Sequence, residues 1–494
     1  MKIKISYFVI IALVSILLFS CDSGTKIQKG IISGVITLEE QVDHSGVTVL
    51  LYKADIISED IQNTNELYPQ TGFAVEDKHI FDHRDFQPLN EVLTPATGTF
   101  TFNDVPYGKY ILAYYKDGWG YNYLFDVELS GKQLEINDGV LHLYPITLLQ
   151  SAIIGEYHLE KNKCYLAEND VSFLPECSLI IERGSKLLVK SGCNITVYCD
   201  ISIIGDETEY VTITSSDCIY SEQKIVNQFS KFEISQASIC ESIGYMILTH
   251  CTEGLVVLNN NLVIHNSFFH NNYKNFQIIG GGNTNNVFSN NVIVSEVGSN
   301  QYGVYLNGTI NPNISKNRFI NIDNAVTIRA TENAQVFKNV FQGGANHIYS
   351  TSISTSIISY NTFKNANYAI TNTAMSNMTI QSNDIQAKIC VYTFHTGNMG
   401  NIITQGWTKG NQNNFYGTEY AIDAEGYFYN YDFDYIELDF TNNFWNATNS
   451  QSIEDLIKDM DEINIPDLPG HAAPKIIYIP FRLTPFPNAG CNGK

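Results

Sequence analysis

An asparagine recurs through the middle of the chain just ahead of an apolar residue, and its spacing constrains the fold more than any other feature. Aligning Asn266 (N-S-F), Asn290 (N-N-V), Asn317 (N-R-F), Asn339 (N-V-F), Asn361 (N-T-F), Asn383 (N-D-I), Asn413 (N-N-F) and Asn442 (N-N-F) gives separations of 24, 27, 22, 22, 22, 30 and 29 residues. Three successive intervals of 22 mark a repeat architecture. So short a unit accommodates three short strands and their turns, not a strand plus a full helix. "AVTIR", "AQVFK" and "VFQ" trace one such circuit. The framework of a leucine-rich repeat is absent. The chain is therefore expected to be all-β, its main body a right-handed parallel β-helix whose coils stack at about 4.8 Å and pair their backbones with the coils above and below.

The asparagine has two expected uses in such a coil. At a tight corner it tolerates left-handed dihedrals better than other non-glycine residues. Its amide also donates and accepts, so equivalent asparagines stack into a ladder from coil to coil. The apolar residue two positions later then turns back into the core. All eight asparagines are accordingly read as structural rather than catalytic.

Composition agrees with β-structure: 30 tyrosines and 27 phenylalanines suit pleated surfaces. At 494 residues the chain exceeds one ordinary core. A formal charge of −22 speaks against nucleic acid or an anionic membrane surface as a partner held by bulk electrostatics.

The first residues, "MKIKISYFVIIALVSILLFSC", join two lysines, an apolar run and a small residue before cysteine. That order marks an export signal rather than a spanning helix. Leu18-Phe19-Ser20-Cys21 resembles a bacterial lipobox, which implies removal of residues 1–20, lipidation of Cys21 and a tether over 21–29. The expected location is the bacterial cell envelope, with the protein membrane-anchored through lipid. The outer membrane or cell surface is favoured over the inner membrane, although Asp22 leaves the final membrane open. Of the nine remaining cysteines, seven lie between Cys164 and Cys251. Export permits disulfides, buried thiols are the alternative, and the odd count leaves at least one thiol unpaired. No C-x-x-C pair supports zinc.

Residues 30–149 carry short alternating strands between glycine, proline and asparagine turns, the pattern of an antiparallel β-sandwich. Gly98, Phe100, Phe102, Pro106, Gly108 and Tyr110 resemble the carboxypeptidase regulatory-like domain, which implies a non-catalytic spacer or binding module. The loop from Asp55 to Leu93 is long and acidic. Its Asp77, His79, Asp82, His83 and Asp85 are read as a solvated polar loop, not as metal ligands. The β-helix is expected over 150–446. Asn442-Asn443-Phe444-Trp445-Asn446 resembles the "NYWG" phrase that closes such proteins, departing from it at Phe444 and Asn446. Residues 447–494 form a cap and tail, in which "SIEDLIKDMDE" predicts an amphipathic helix with Ser452 as N-cap and Ile453, Leu456, Ile457 and Met460 on one face.

The repeats resemble the pectate-lyase-like superfold, where the outer face of the first strand of each coil carries the carbohydrate cleft. Aligning first strands by the period turns Val304, Val326, Ile348 and Ile370 inward. Tyr305, Arg329, His347, Tyr349, Thr371, His395, Asp423 and Glu425 are then expected outside. Tyrosines stack on sugar rings, Arg329 pairs with a uronate or sulfate, and Asp423 with Glu425 can act as acid and base or bind a hard cation. The polygalacturonase phrases N-T-D, D-D, G-H-G and R-I-K are absent. The leading expectation is an exported, lipid-anchored surface protein that binds polysaccharide or acts as an adhesin-like module through Tyr305, Arg329, His347, Tyr349 and His395. A polysaccharide lyase or glycosidase using Asp423, Glu425, Arg329 or His347 is the alternative, and a purely structural envelope protein the third. Calcium is called for only in the lyase case; otherwise no cofactor or metal is expected.

Overall fold

In the computed structural model each interval of 22 residues becomes one coil of a right-handed parallel β-helix. One coil runs through Asn324–Arg329, Ala334–Phe337 and Val340–Gln342. These strands pair in parallel with Asn346–Thr351, Thr355–Ser359 and Thr362–Thr373 of the next coil. The structure describes residues 28–494 except 218, 222–223, 227, 241, 259, 296–300, 375, 395–407, 426, 429–436, 463–470 and 493–494. The signal segment and Cys21 lie outside the described residues.

Chain contacts divide the molecule into two compact units. The first holds a sheet of Thr99–Pro106, Lys29–Leu38 and Gln133–Leu143, and a four-stranded antiparallel sheet of Asn90–Leu93, Thr48–Lys53, Gly108–Tyr115 and Tyr121–Leu129. Alternation along Thr99–Pro106 buries Phe100 and Phe102. Gly98 must be glycine: its φ is +73°, and a Cβ there would lie 2.1 Å from the Ile36 carbonyl oxygen.

The second unit is the β-helix, with strands of its main sheet running from Thr147–Leu148 to Ile457–Lys458. Its interior stacks like on like. Phe319, Phe341 and Phe363, each two residues past a ladder asparagine, lie nearly parallel with ring centroids 4.9 and 4.8 Å apart. Full burial of one such ring contributes about 1.5–3 kcal/mol. The eight described cysteines form no disulfide; seven are buried and Cys193 is half-buried.

The asparagine ladder is real, but its register is corrected at the ends and its physical basis is different. The buried column is Asn291, Asn317, Asn339, Asn361, Asn383, Asn413 and Asn443. Asn290 and Asn442 precede it by one residue, and Ser267, not Asn266, occupies the position one coil earlier. Asn361 typifies the pattern. Its backbone N–H and its Nδ2 donate to Asn383 Oδ1 at 2.8 and 3.1 Å. Its own Oδ1 accepts from the backbone N–H and Nδ2 of Asn339 at 2.9 and 3.0 Å, and its Nδ2 also donates to the Val336 carbonyl at 2.8 Å. The left-handed residue is the one before it: Asn266, Asn290, Lys316, Lys338, Tyr360, Ser382, Gln412 and Asn442 all have φ between 48° and 57°. Asparagine is thus required in the column for its amide, while the corner dihedral is borne by a neighbour of almost any type. A second column, missed in the sequence, does use left-handed asparagines. Asn261, Asn285, Asn311 and Asn333 all have positive φ, and their exposed side chains link at 3.3, 3.2 and 3.2 Å.

Two further expectations change. The amphipathic C-terminal helix is a single turn, Ser450–Glu454, capped by Asn449, whose Oδ1 accepts from the Ser452 N–H at 2.9 Å. Ile457–Lys458 is instead a strand paired with Ile422 and Asp423, because the open sheet edge of the last coil offers backbone partners that a short helix cannot match. Asn446, where the "NYWG" phrase has glycine, has a φ of +52°.

The acidic loop is not solvated either. Residues 56–87 belong with the β-helix as a strap carrying the helices Glu59–Leu67 and Asp77–Ile80. Ile61, Val75 and Ile80 pack on Ile247, Phe268, Val292, Val294 and Ile320. Those residues face outward from the strands that follow the asparagine corner. Arg318, fully buried, donates to the carbonyls of Thr71 and Tyr68 and to Asn65 Oδ1. Gly72, at φ +68°, lets the strap pass: a Cβ there would meet Val292 Cγ2 at 2.9 Å.

Replacing Asn361 by alanine is expected to cost about 3 kcal/mol, because the Asn339 donors and the Val336 carbonyl lose buried partners. Tyr360→Gly, at the left-handed site, should stay within about 1 kcal/mol of wild type or stabilise. Thermal and denaturant unfolding of both variants checks the order; equal losses would refute the division of labour.

Candidate functional site

Each coil has three outer faces, and between Ile247 and Val340 the strap covers the one that follows the asparagine corner. On the first-strand face the parallel register places Gln277, Tyr305, Thr327, Tyr349, Thr371, Tyr392, Asp423 and Lys458 in one column. Tyrosine recurs at every second coil, about 10 Å apart. The intervening Thr327 and Thr371 are short, so their places are gaps between rings.

Around this column lies a depression of about 450 Å³ lined by Tyr302, Tyr305, Tyr349, Tyr368, Tyr392 and Arg329, with Asn324, Asn346 and the threonines. The five tyrosines are half-buried and Arg329 is exposed. Thr327 Oγ1 and Thr371 Oγ1 lie in its floor with no hydrogen-bond partner among the described residues. Flat aromatic faces, free hydroxyls and one exposed guanidinium form a surface for a hydroxyl-rich or anionic ligand. The second-strand face holds a larger depression of about 540 Å³, but its lining of asparagine, threonine, Met378 and Lys409 includes no aromatic ring.

Asp423 and Glu425 stand at the end of the tyrosine column. Lys458 Nζ bridges them, 3.2 Å from Asp423 and 2.6 Å from Glu425, and the Tyr392 hydroxyl donates to Glu425 at 3.1 Å. Burial raises the pKa of Asp423 against the pull of Lys458. The hydrogen bond from Lys458 lowers that of Glu425. The pKa values of the two carboxyls are therefore driven in opposite directions.

Tyr305, Arg329, Tyr349 and Thr371 thus meet in one depression, whereas His347 does not join them. It is 1% exposed; its ring stacks on Phe341 and Phe363 at 5.5 and 5.8 Å and hydrogen-bonds through Nε2 to the Gly343 carbonyl at 2.9 Å. Strict alternation fails where the chain enters the strand. The sequence held a signal, since the equivalent positions Gly303, Ala325, Ala369 and Ala421 are all small. His395 lies outside the described residues. Tyr302, Asn324, Asn346 and Tyr368, at steps of 22 residues, were missed although the period marks them. Tyr392 is displaced by one residue, where the register shifts between Lys364 and Ala366. Lys458 was hidden inside the predicted helix.

No protein-family model and no curated protein matches the sequence. A search of solved structures finds the family 28 exopolygalacturonase of Yersinia enterocolitica, at 9% identity and a TM-score of 0.22, covering 81% of this chain and 86% of that one. The functional reading rests on the residues of the groove itself.

Burial lowers the His347 pKa to about 4, with the Gly343 hydrogen bond opposing. The folded protein then resists a proton that the unfolded chain accepts near pH 6.5. Stability from this group is complete above that pH and is lost as pH falls toward 4, by about 2.5 kcal/mol at pH 4.5. His347→Phe, which keeps the ring stack, should flatten the stability profile measured by denaturant unfolding between pH 7 and 4.5; an unchanged slope would reject this assignment.

Proposed function

We propose that the tyrosine groove binds polysaccharide and that the protein is an exported, lipid-anchored surface protein acting as an adhesin-like module. The observation carrying this reading is the column Tyr305, Thr327, Tyr349, Thr371, Tyr392. A ring at every second coil repeats with a period commensurate with a disaccharide, so an extended glycan can stack the same way several times. Each ring contact adds only a modest affinity, and the number of contacts supplies the rest. Arg329 at the rim adds a preference for glycans bearing carboxylate or sulfate. The competing faces support it less: one is covered by the strap, and the depression on the other is lined by no aromatic ring.

A second reading, cleavage of the bound glycan, is favoured by one observation: Asp423 and Glu425 are adjacent to the groove with their pKa values driven apart, the arrangement of an acid paired with a base. Lys458 bridges the same two groups, so in this reading its ammonium supplies the positive charge for which a lyase otherwise calls on calcium.

The test is a glycan array on the full-length protein in mild detergent, with products of every bound glycan analysed. Tyr349→Ala is expected to weaken binding at least about tenfold, and Arg329→Ala to weaken it selectively for acidic glycans. Asn311→Ala, in the lining of the second-strand depression, should change nothing. Intact recovery of the glycan is expected; cleavage abolished by Asp423→Asn would establish the second reading, and binding indifferent to Tyr349→Ala would remove the groove from both. The anchor is tested separately. Among the described residues no helix is long and apolar enough to cross a membrane, and Cys21→Ala should release the protein from the membrane fraction. Retention of that variant would contradict lipidation.

A further inference from the structure

Where the strap crosses the corner at His250, a group of side chains is left over from the packing. His250 is 1% exposed and has a φ of +58°, a left-handed conformation unusual for a residue of its size. Its Nδ1 lies 3.1 Å from Thr214 Oγ1. With Nδ1–H donating to that hydroxyl, the lone pair of Nε2 faces the strap. Among the described residues Nε2 has no hydrogen-bond partner, and neither does the buried Oδ1 of Asp85. Asp85 Oδ2 is 3.4 Å from His250 Nε2, and among the described residues no lysine or arginine pairs with this carboxylate. Donor atoms of Asp82, Asp85 and His250 all lie within 4.8 Å of one another.

We propose that Asp82, Asp85 and His250 bind one divalent transition-metal ion, with Zn²⁺ the best match, and that the ion clamps the strap to the β-helix. Two ligands about 2.05 Å from a tetrahedral zinc are about 3.3 Å apart, which fits the separation of Nε2 and Oδ2. One imidazole and two carboxylates suit zinc better than calcium, which takes six to eight oxygens. The outer shell is also present. Thr214 orients the imidazole, and Arg84 holds Asp82 in place, its Nε donating to Oδ1 at 2.9 Å and its Nη2 to Oδ2 at 2.5 Å, while its Nη1 donates to the Ser215 carbonyl at 2.6 Å. Arg84 offsets the Asp82 charge and leaves that of Asp85 for the ion. His83 Nδ1, 3.7 Å from Asp82 Oδ1, stands at the rim.

Tag-free full-length protein, dialysed against Zn²⁺ and then metal-free buffer, should retain one equivalent by elemental analysis. Co²⁺ substitution should give the visible absorption of a tetrahedral site. Asp85→Asn, nearly isosteric, and His250→Gln should each weaken Zn²⁺ binding at least about tenfold, with circular dichroism confirming that the variants fold. Zinc should also slow tryptic cleavage at Lys78 and Arg84, and a chelator should reverse this. Absence of retained ion, or full affinity in Asp85→Asn, would overturn the site and leave a His250–Asp85 proton-mediated pair. Retention without protection of the strap would overturn the clamp.

Discussion

The structure depends on keeping one corner of every coil in register, and the buried asparagine amide does this. A parallel β-helix has no hairpins to set its pairing, so each coil must find its register on the preceding one. Backbone pairing alone is indifferent to a slip. An asparagine whose Oδ1 accepts both the backbone N–H and the amide of its counterpart, and whose Nδ2 reaches a strand carbonyl, is not. Displacing one coil by a residue would leave several buried polar groups without partners. The Phe319, Phe341 and Phe363 stack reinforces the register with apolar contact, but its dispersion and burial energy distinguishes neighbouring registers less sharply than unmade hydrogen bonds do.

Once register is secured, the three faces of the coils become separate surfaces with separate fates. Val292, Val294 and Ile320 point outward and would be an apolar liability, and the strap covers them. Arg318, buried with no carboxylate partner among the described residues, is accommodated because strap carbonyls turn toward it. The first-strand face stays open, and register alone aligns tyrosines from residues far apart in sequence into a column. The same repeat that builds the core thereby builds the groove.

Much of this was legible in the chain. The 22-residue spacing identified the coil, and the N-x-F phrase located the ladder to within one residue, since N-N-V and N-N-F offer two asparagines and only packing selects the second. Tyr305, Arg329 and Tyr349 followed from alternation. His347 did not, because alternation describes a regular strand and His347 sits where the strand begins, in a slot held by the smaller Gly303, Ala325, Ala369 and Ala421 in other coils. The capping helix failed for a related reason: the helical spacing of Ile453, Leu456 and Ile457 is also satisfied by one turn followed by a strand, and an unpaired sheet edge was available to take it.

The sequence by itself determined the periodic part of the protein: coil length, inward and outward positions, and the chemistry repeated along each column. Those properties are local, and periodicity multiplies a weak local signal. Only the tertiary structure decided what lies over each face. The segment 56–87 reads as a polar loop because its apolar residues, Ile61, Val75 and Ile80 among them, are interspersed with acidic and amide side chains and follow no repeat. Their partners come from strands some two hundred residues further on, and neither set has a reason to be apolar until the other is present. The meeting of Asp82 and Asp85 with His250 has the same origin, since such long-range contacts leave no period in the sequence to be read.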